Sequence, residues 1–141
     1  MQLLLPGAAR LVAHLAAYDV PIVIATGSLW RNYRRKTTHL HPCLHHVFAR
    51  FGEHVVCAGN GGAGRGKSFL DVFLAAARAL RRPVGPNEDD GTAGVGEAVH
   101  AERTRGLVFE DALPGVQAGK RAGTSGVLFR FQSCPIWTRT C

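Results

Sequence analysis

Apolar residues in this chain follow two alternating rhythms. Four short runs are almost wholly apolar: Ile22–Ala25, His54–Ala58, Leu107–Glu110 and Gly126–Phe131. Each is bounded by glycine, proline or polar residues, the pattern of a buried strand. Between them lie longer stretches in which apolar residues recur every three or four positions. These predict helices over about Gly7–Tyr18, Phe69–Leu80 and Gly115–Ala122, and a helical stretch around Leu29–Phe51. Helices alternating with apolar strands predict an α/β domain built on a parallel sheet. The span from Arg82 to about Arg105 holds Pro83, Pro86, four glycines and the run Glu88-Asp89-Asp90. It reads as an inserted flexible loop. Gln132–Cys141 carries no pattern and reads as an unstructured tail.

The tips of these strands carry the candidate chemistry. Leu107-Val108-Phe109 runs into two adjacent carboxylates, Glu110 and Asp111, and then a Pro-Gly turn. In open α/β sheets, ligands collect outside the carboxyl ends of the strands. Two carboxylates there suit a hard cation such as magnesium, which takes oxygen ligands and keeps waters for a phosphate substrate. Asp111 as the cap of the following helix is the other reading. The run Pro21–Ala25 ends in Thr26-Gly27-Ser28, where hydroxyls and backbone N–H groups can cradle phosphate oxygens. Gly66-Lys67-Ser68 opens the helix that starts near Phe69. A lysine at a helix start opposes the helix dipole, and a bound phosphate would remove that conflict. A solvated surface lysine and a Ser/Thr-capped turn are the alternatives.

The order of these motifs resembles the haloacid dehalogenase-like phosphatases, in particular their pseudouridine-5'-phosphatase-like branch. The resemblance runs from Leu5-Pro6-Gly7-Ala8 through Ile24-Ala25-Thr26-Gly27-Ser28, Lys36-Thr37-Thr38-His39 and His54-Val55-Val56-Cys57. It continues in Gly66-Lys67 and Asp71–Ala77, then in Val108–Ala112, Gly115-Val116 and Ala122-Gly123. It implies a Rossmann-like parallel sheet flanked by helices over residues 1–131, and magnesium-dependent hydrolysis of a small phosphorylated metabolite such as a nucleotide or sugar phosphate. By the same resemblance, Thr26 hydrogen-bonds the transferring phosphoryl group and Lys67 neutralises its charge. Asp111, with Glu110 beside it, holds magnesium.

The chain also departs from that family. The family's nucleophile is the first Asp of an Asp-x-Asp motif on an N-terminal strand, and the second Asp is its general acid and base. No Asp-x-Asp occurs in these 141 residues. Residue 1 falls about where the family re-enters its core from the helical cap. The resemblance therefore implies an incomplete core domain without a cap, inactive alone or a non-catalytic remnant or binding module. The prolines of the family's Gly-Lys-Pro-x-Pro-Asp loop are replaced by Ser68 and Leu70, and an acidic position after the third strand reads Gly59-Asn60-Gly61. In the family, the nucleophile strand lies between the strand ending at Thr26 and the strand ending at Glu110. Without it, those two strands either pair directly or leave open, association-prone edges.

Composition supports a single soluble domain. A chain of 141 residues with 46% hydrophobic and 19% charged residues is long and apolar enough to fold around one core. No apolar run reaches membrane-spanning length, and Leu3-Leu4-Leu5 is too short for a secretory core. The four cysteines, Cys43, Cys57, Cys134 and Cys141, show no paired spacing, which fits a reducing, cytoplasmic setting. The net charge of +7 is partly gathered in Trp30-Arg31-Asn32-Tyr33-Arg34-Arg35-Lys36. That segment adjoins the proposed phosphate site, where positive potential attracts anionic substrates. No nucleic-acid-binding module accompanies it, so nucleic acid is not the expected partner.

Two rival motifs need weighing. His39, His41, Cys43, His45 and His46 crowd together, but Pro42 is expected to break the regular spacing that converging zinc ligands require. Gly61 to Ser68 satisfies the P-loop pattern for nucleotide binding, between a strand and a helix. That match lies in a glycine-rich stretch, where chance hits rise, and it leaves the other ordered motifs unexplained.

Overall fold

The structure is a computed structural model that describes residues 4–38, 41–58, 69–85 and 96–128, with the backbone alone at 41–43 and 69–70. Its helices are α1 (Ala8–Ala17), α2 (Trp30–Thr37), α3 (His41–Phe48), α4 (Phe69–Ala79), α5 (Glu97–Thr104) and α6 (Leu113–Arg121). Its strands are β1 (Ile24–Leu29), β2 (Val55–Ala58), β3 (Leu107–Glu110) and β4 (Ser125–Leu128), and a 3-10 turn at Ala49–Phe51 follows α3. Helices and strands alternate as the two apolar rhythms require.

The strands are parallel, but they form two separate pairs. β1 pairs with β2 in the register Ile24 to Val55, Ala25 to Val56 and Thr26 to Cys57. β3 pairs with β4 from Leu107 opposite Ser125 to Glu110 opposite Leu128. Among the described residues no ladder joins β1 to β3, so direct pairing is not the outcome adopted and each pair keeps open edges. Side-chain packing holds the pairs in one body. α4 lies on β1 and β2 and also meets α6, which lies on β3 and β4. The buried cluster is Val72, Phe73, Leu74, Val84, Ala118 and Ala122, with Ala25, Val56 and Val108 from three strands packed against it. Burying such side chains contributes about 1.5–3 kcal/mol each for the larger ones, enough to bridge two sheets that share no hydrogen bond.

Several sequence expectations are corrected. The span expected as a flexible loop contains α5, because Arg103 gives it an anchor. Arg103 is 1% exposed, and its Nε donates to the Val84 carbonyl at 2.8 Å. Arg82 and Arg105 both reach Glu102, at 3.4 and 3.3 Å, and Arg78 donates to the Gly85 carbonyl. β3 is not buried on both faces. Leu107 and Phe109 are 53% and 42% exposed, whereas Val108 packs on the core, because among the described residues helix covers one side of this pair. The helical stretch after Leu29 divides into α2 and α3, and Pro42 lies in the first turn of α3, where a missing N–H costs nothing. The tail and residues 86–95 lie outside the described residues.

Gly123, just past the end of α6, has a φ of +82°, which would strain a residue with a side chain. The next N–H, of Thr124, reaches back to Gly119 O at 3.1 Å and turns the chain into β4.

Candidate phosphate-binding site

Two groups of sequence-predicted residues sit at the C-terminal ends of parallel strands. The first is Thr26-Gly27-Ser28. β1 does not stop at Ala25, as its apolar run suggested, but continues to Leu29 through an irregularity. Thr26 lies opposite Cys57, yet the next paired residues are Leu29 and Ala58. Gly27 and Ser28 are therefore extra residues that bulge out of the ladder. Bulges re-aim side chains and backbone groups, and they recur beside active sites. Thr26 Oγ1 accepts the Ser28 N–H at 3.1 Å and holds the bulge closed. Lys36, one residue from the end of α2, reaches back and donates to Ser28 Oγ at 3.3 Å. No spacing rule announces that contact, since the two residues lie eight positions apart across a bulge and a helix.

The second group is Glu110-Asp111 after β3. The cap of α6 is Ala112, in extended conformation and without a side-chain cap bond, so the reading of Asp111 as the helix cap is not adopted. Instead Glu110 turns onto the backbone that follows it. Its Oε2 accepts the Asp111 N–H at 2.9 Å and the Ala112 N–H at 3.0 Å. Gly115 makes room for this, because a Cβ there would collide with the Glu110 carboxyl group. Asp111 is exposed, and its carboxylate has no hydrogen bond or ion pair among the described residues. Glu110 thus shapes the loop that presents Asp111. Among the described residues no hydrogen bond joins the Thr26 group to the Glu110 group.

The remaining candidates divide. Lys67 and the whole of Gly61–Ser68 lie outside the described residues, as does His39. His45 and His46 meet edge to face, with ring centroids 5.9 Å apart. Among the described residues no three His, Cys, Asp or Glu side chains converge as a metal site. Cys57 is buried, and burial raises its thiol pKa. Tyr33 of α2 is shifted upward too, by burial first and by neighbouring Cys57 second. A thiol held protonated is a poor nucleophile, so Cys57 belongs to the core. No described helix is long and apolar enough to cross a membrane.

Strand-end hydroxyls and carboxylates on a parallel α/β scaffold define a class, and comparison with known proteins names it. The profile of the haloacid dehalogenase-like hydrolases matches residues 1–123, and the chain belongs to that family. It is 37% identical over 125 residues to (DL)-glycerol-3-phosphatase 2 of Arabidopsis thaliana, covering 89% of this chain and 43% of that protein. It is 32% identical over 120 residues to the bifunctional riboflavin kinase/FMN phosphatase of the same plant, covering 85% and 25%. A probable pseudouridine-5'-phosphatase of Drosophila melanogaster is 31% identical over 125 residues, covering 89% and 45%. The chain thus spans less than half the length of these curated relatives.

Proposed function

We propose that these residues form the phosphate- and cation-binding part of a phosphomonoester hydrolase acting on a small phosphorylated metabolite in the cytoplasm. The observation that carries this reading is the bulge after Thr26, which takes Gly27 and Ser28 out of the ladder and sets the Ser28 hydroxyl beside that of Thr26 near a strand's C-terminal end. Phosphoryl transfer depends chiefly on positioning and on electrostatic stabilisation of the transferred group. In this reading Thr26 and Ser28 donate to phosphoryl oxygens, and Lys67 neutralises them. The carboxylates of Asp111 and Glu110 are the hard oxygen donors magnesium takes, and they fit that ion. They would hold it, and the bound ion would offset charge on the phosphoryl group. Glu110 Oε2 also fixes the loop that presents Asp111.

The same reading makes the 141 residues a binder without turnover, since they contain no Asp-x-Asp. Loss of a nucleophile costs up to about 10^6 in rate. Purified chain should hydrolyse an aryl phosphate with magnesium no faster than buffer does. Turnover near one per second, abolished by Asp111→Ala, would overturn the inactivity. Absence of any saturable phosphate binding would overturn the site.

A further inference from the structure

We infer that Lys36 is a phosphate-contacting residue of this site, a cation supplied by α2 and independent of Lys67. The inference rests on the reading of Thr26–Ser28 as the phosphoryl cradle, and it follows from where the protons point. Thr26 Oγ1 accepts the Ser28 N–H, so its own hydroxyl hydrogen is directed elsewhere. Ser28 Oγ accepts from Lys36 Nζ, so its own hydroxyl hydrogen is not used in that contact. An ammonium has three donors and no acceptor, and among the described residues one of the three is used. The described side chains at the end of β1 thus offer three kinds of donor, two hydroxyls and an ammonium, and each hydroxyl oxygen already accepts one hydrogen bond. Such a set suits an oxyanion with several oxygens and disfavours a neutral or cationic ligand.

Charge supports the same assignment. α2 reads Trp30-Arg31-Asn32-Tyr33-Arg34-Arg35-Lys36-Thr37 and contains no acidic residue. Both ion pairs among the described residues use Glu102 on α5, so no described carboxylate pairs with Lys36. Arg31, Arg34 and Arg35 are exposed on the same helix, but Lys36 is the one bonded to the bulge. Lys36 is also already positioned before any ligand arrives, which reduces the side-chain entropy lost on binding.

The test is titration of the full chain with inorganic phosphate at low salt, followed by NMR. Wild type, Lys36→Ala, Arg35→Ala and Thr26→Ala are compared, with thermal midpoints as the folding check. A charge-assisted hydrogen bond predicts that Lys36→Ala raises the dissociation constant about tenfold. Arg35→Ala removes the same charge without the contact and should raise it by no more than about twofold, because exposed charges are screened. Lys36→Arg keeps the charge and should recover part of the loss. Equal effects of Lys36→Ala and Arg35→Ala, or a loss explained by a lowered midpoint, would overturn the role of Lys36 while leaving the cradle intact. Wild-type protein that shows no saturable response, or Thr26→Ala that binds like wild type, would overturn the cradle itself.

Discussion

Glu110 and Gly115 show how two residues separate a structural duty from a chemical one. The Glu110 carboxylate closes the β3–α6 loop through two N–H groups, and it occupies the space a side chain at 115 would need. A Gly115→Ala substitution must therefore push the carboxylate off those donors. Breaking the contacts should cost about 1–3 kcal/mol in urea denaturation. Adding Glu110→Ala to Gly115→Ala should cost less than the two single losses summed, since both act on one contact. Additive losses would mean that the carboxylate and residue 115 do not compete. Asp111 and Thr26 were legible in the sequence as polar residues at the ends of apolar runs. The loop-closing duty of Glu110 was not, because two neighbouring carboxylates look alike until the backbone shows which one turns inward. Lys36 was visible as one cation among four and as part of the Lys36-Thr37-Thr38-His39 motif, but not as a partner of Ser28, because that contact depends on the turn between β1 and α2.

α5 is the element that local pattern did not reveal. Glycines, prolines and an acidic run surround it, and eight residues are too few for periodicity to speak strongly. Its stability comes from elsewhere in the molecule. Arg103 inserts from α5 to the Val84 carbonyl, and Val99 packs against Gly85. Arg103→Ala leaves that buried carbonyl without its guanidinium donor, and should destabilise the protein by about 1–3 kcal/mol. Hydrogen exchange over Glu97–Thr104 should accelerate more than exchange in α6, which has its own buried face. Equal acceleration of both helices would show that α5 and α6 open together and that Arg103 serves the whole core. By contrast, α1, α4 and α6 lay within two residues of their expected ends, because each carries a sustained apolar stripe.

The two strand pairs set the behaviour of the molecule as a whole. They share one apolar cluster through α4 and α6 but no ladder, so backbone groups along their edges have no strand partner among the described residues. Leu29, Leu107 and Val127 add exposed apolar surface on these strands. Open edges of this kind template association with another chain. Sedimentation should show self-association rising with concentration, together with shallow exchange protection in Ile24–Thr26 and Leu107–Glu110. A monomer with deep protection in both strands would show that side-chain packing alone secures them.

Periodicity by itself determined the α/β class and the parallel direction of the strands, and the identities of the residues in the ordered motifs carried the resemblance to the haloacid dehalogenase-like hydrolases. Those properties are local, because each segment's burial pattern states its own period and its own ends. Which strands share a ladder, how β1 bulges at Gly27-Ser28, which carboxylate turns inward and which lysine reaches the bulge were decided only by the tertiary structure. Each depends on a partner distant along the chain, and no single segment's pattern specifies its partner or its register.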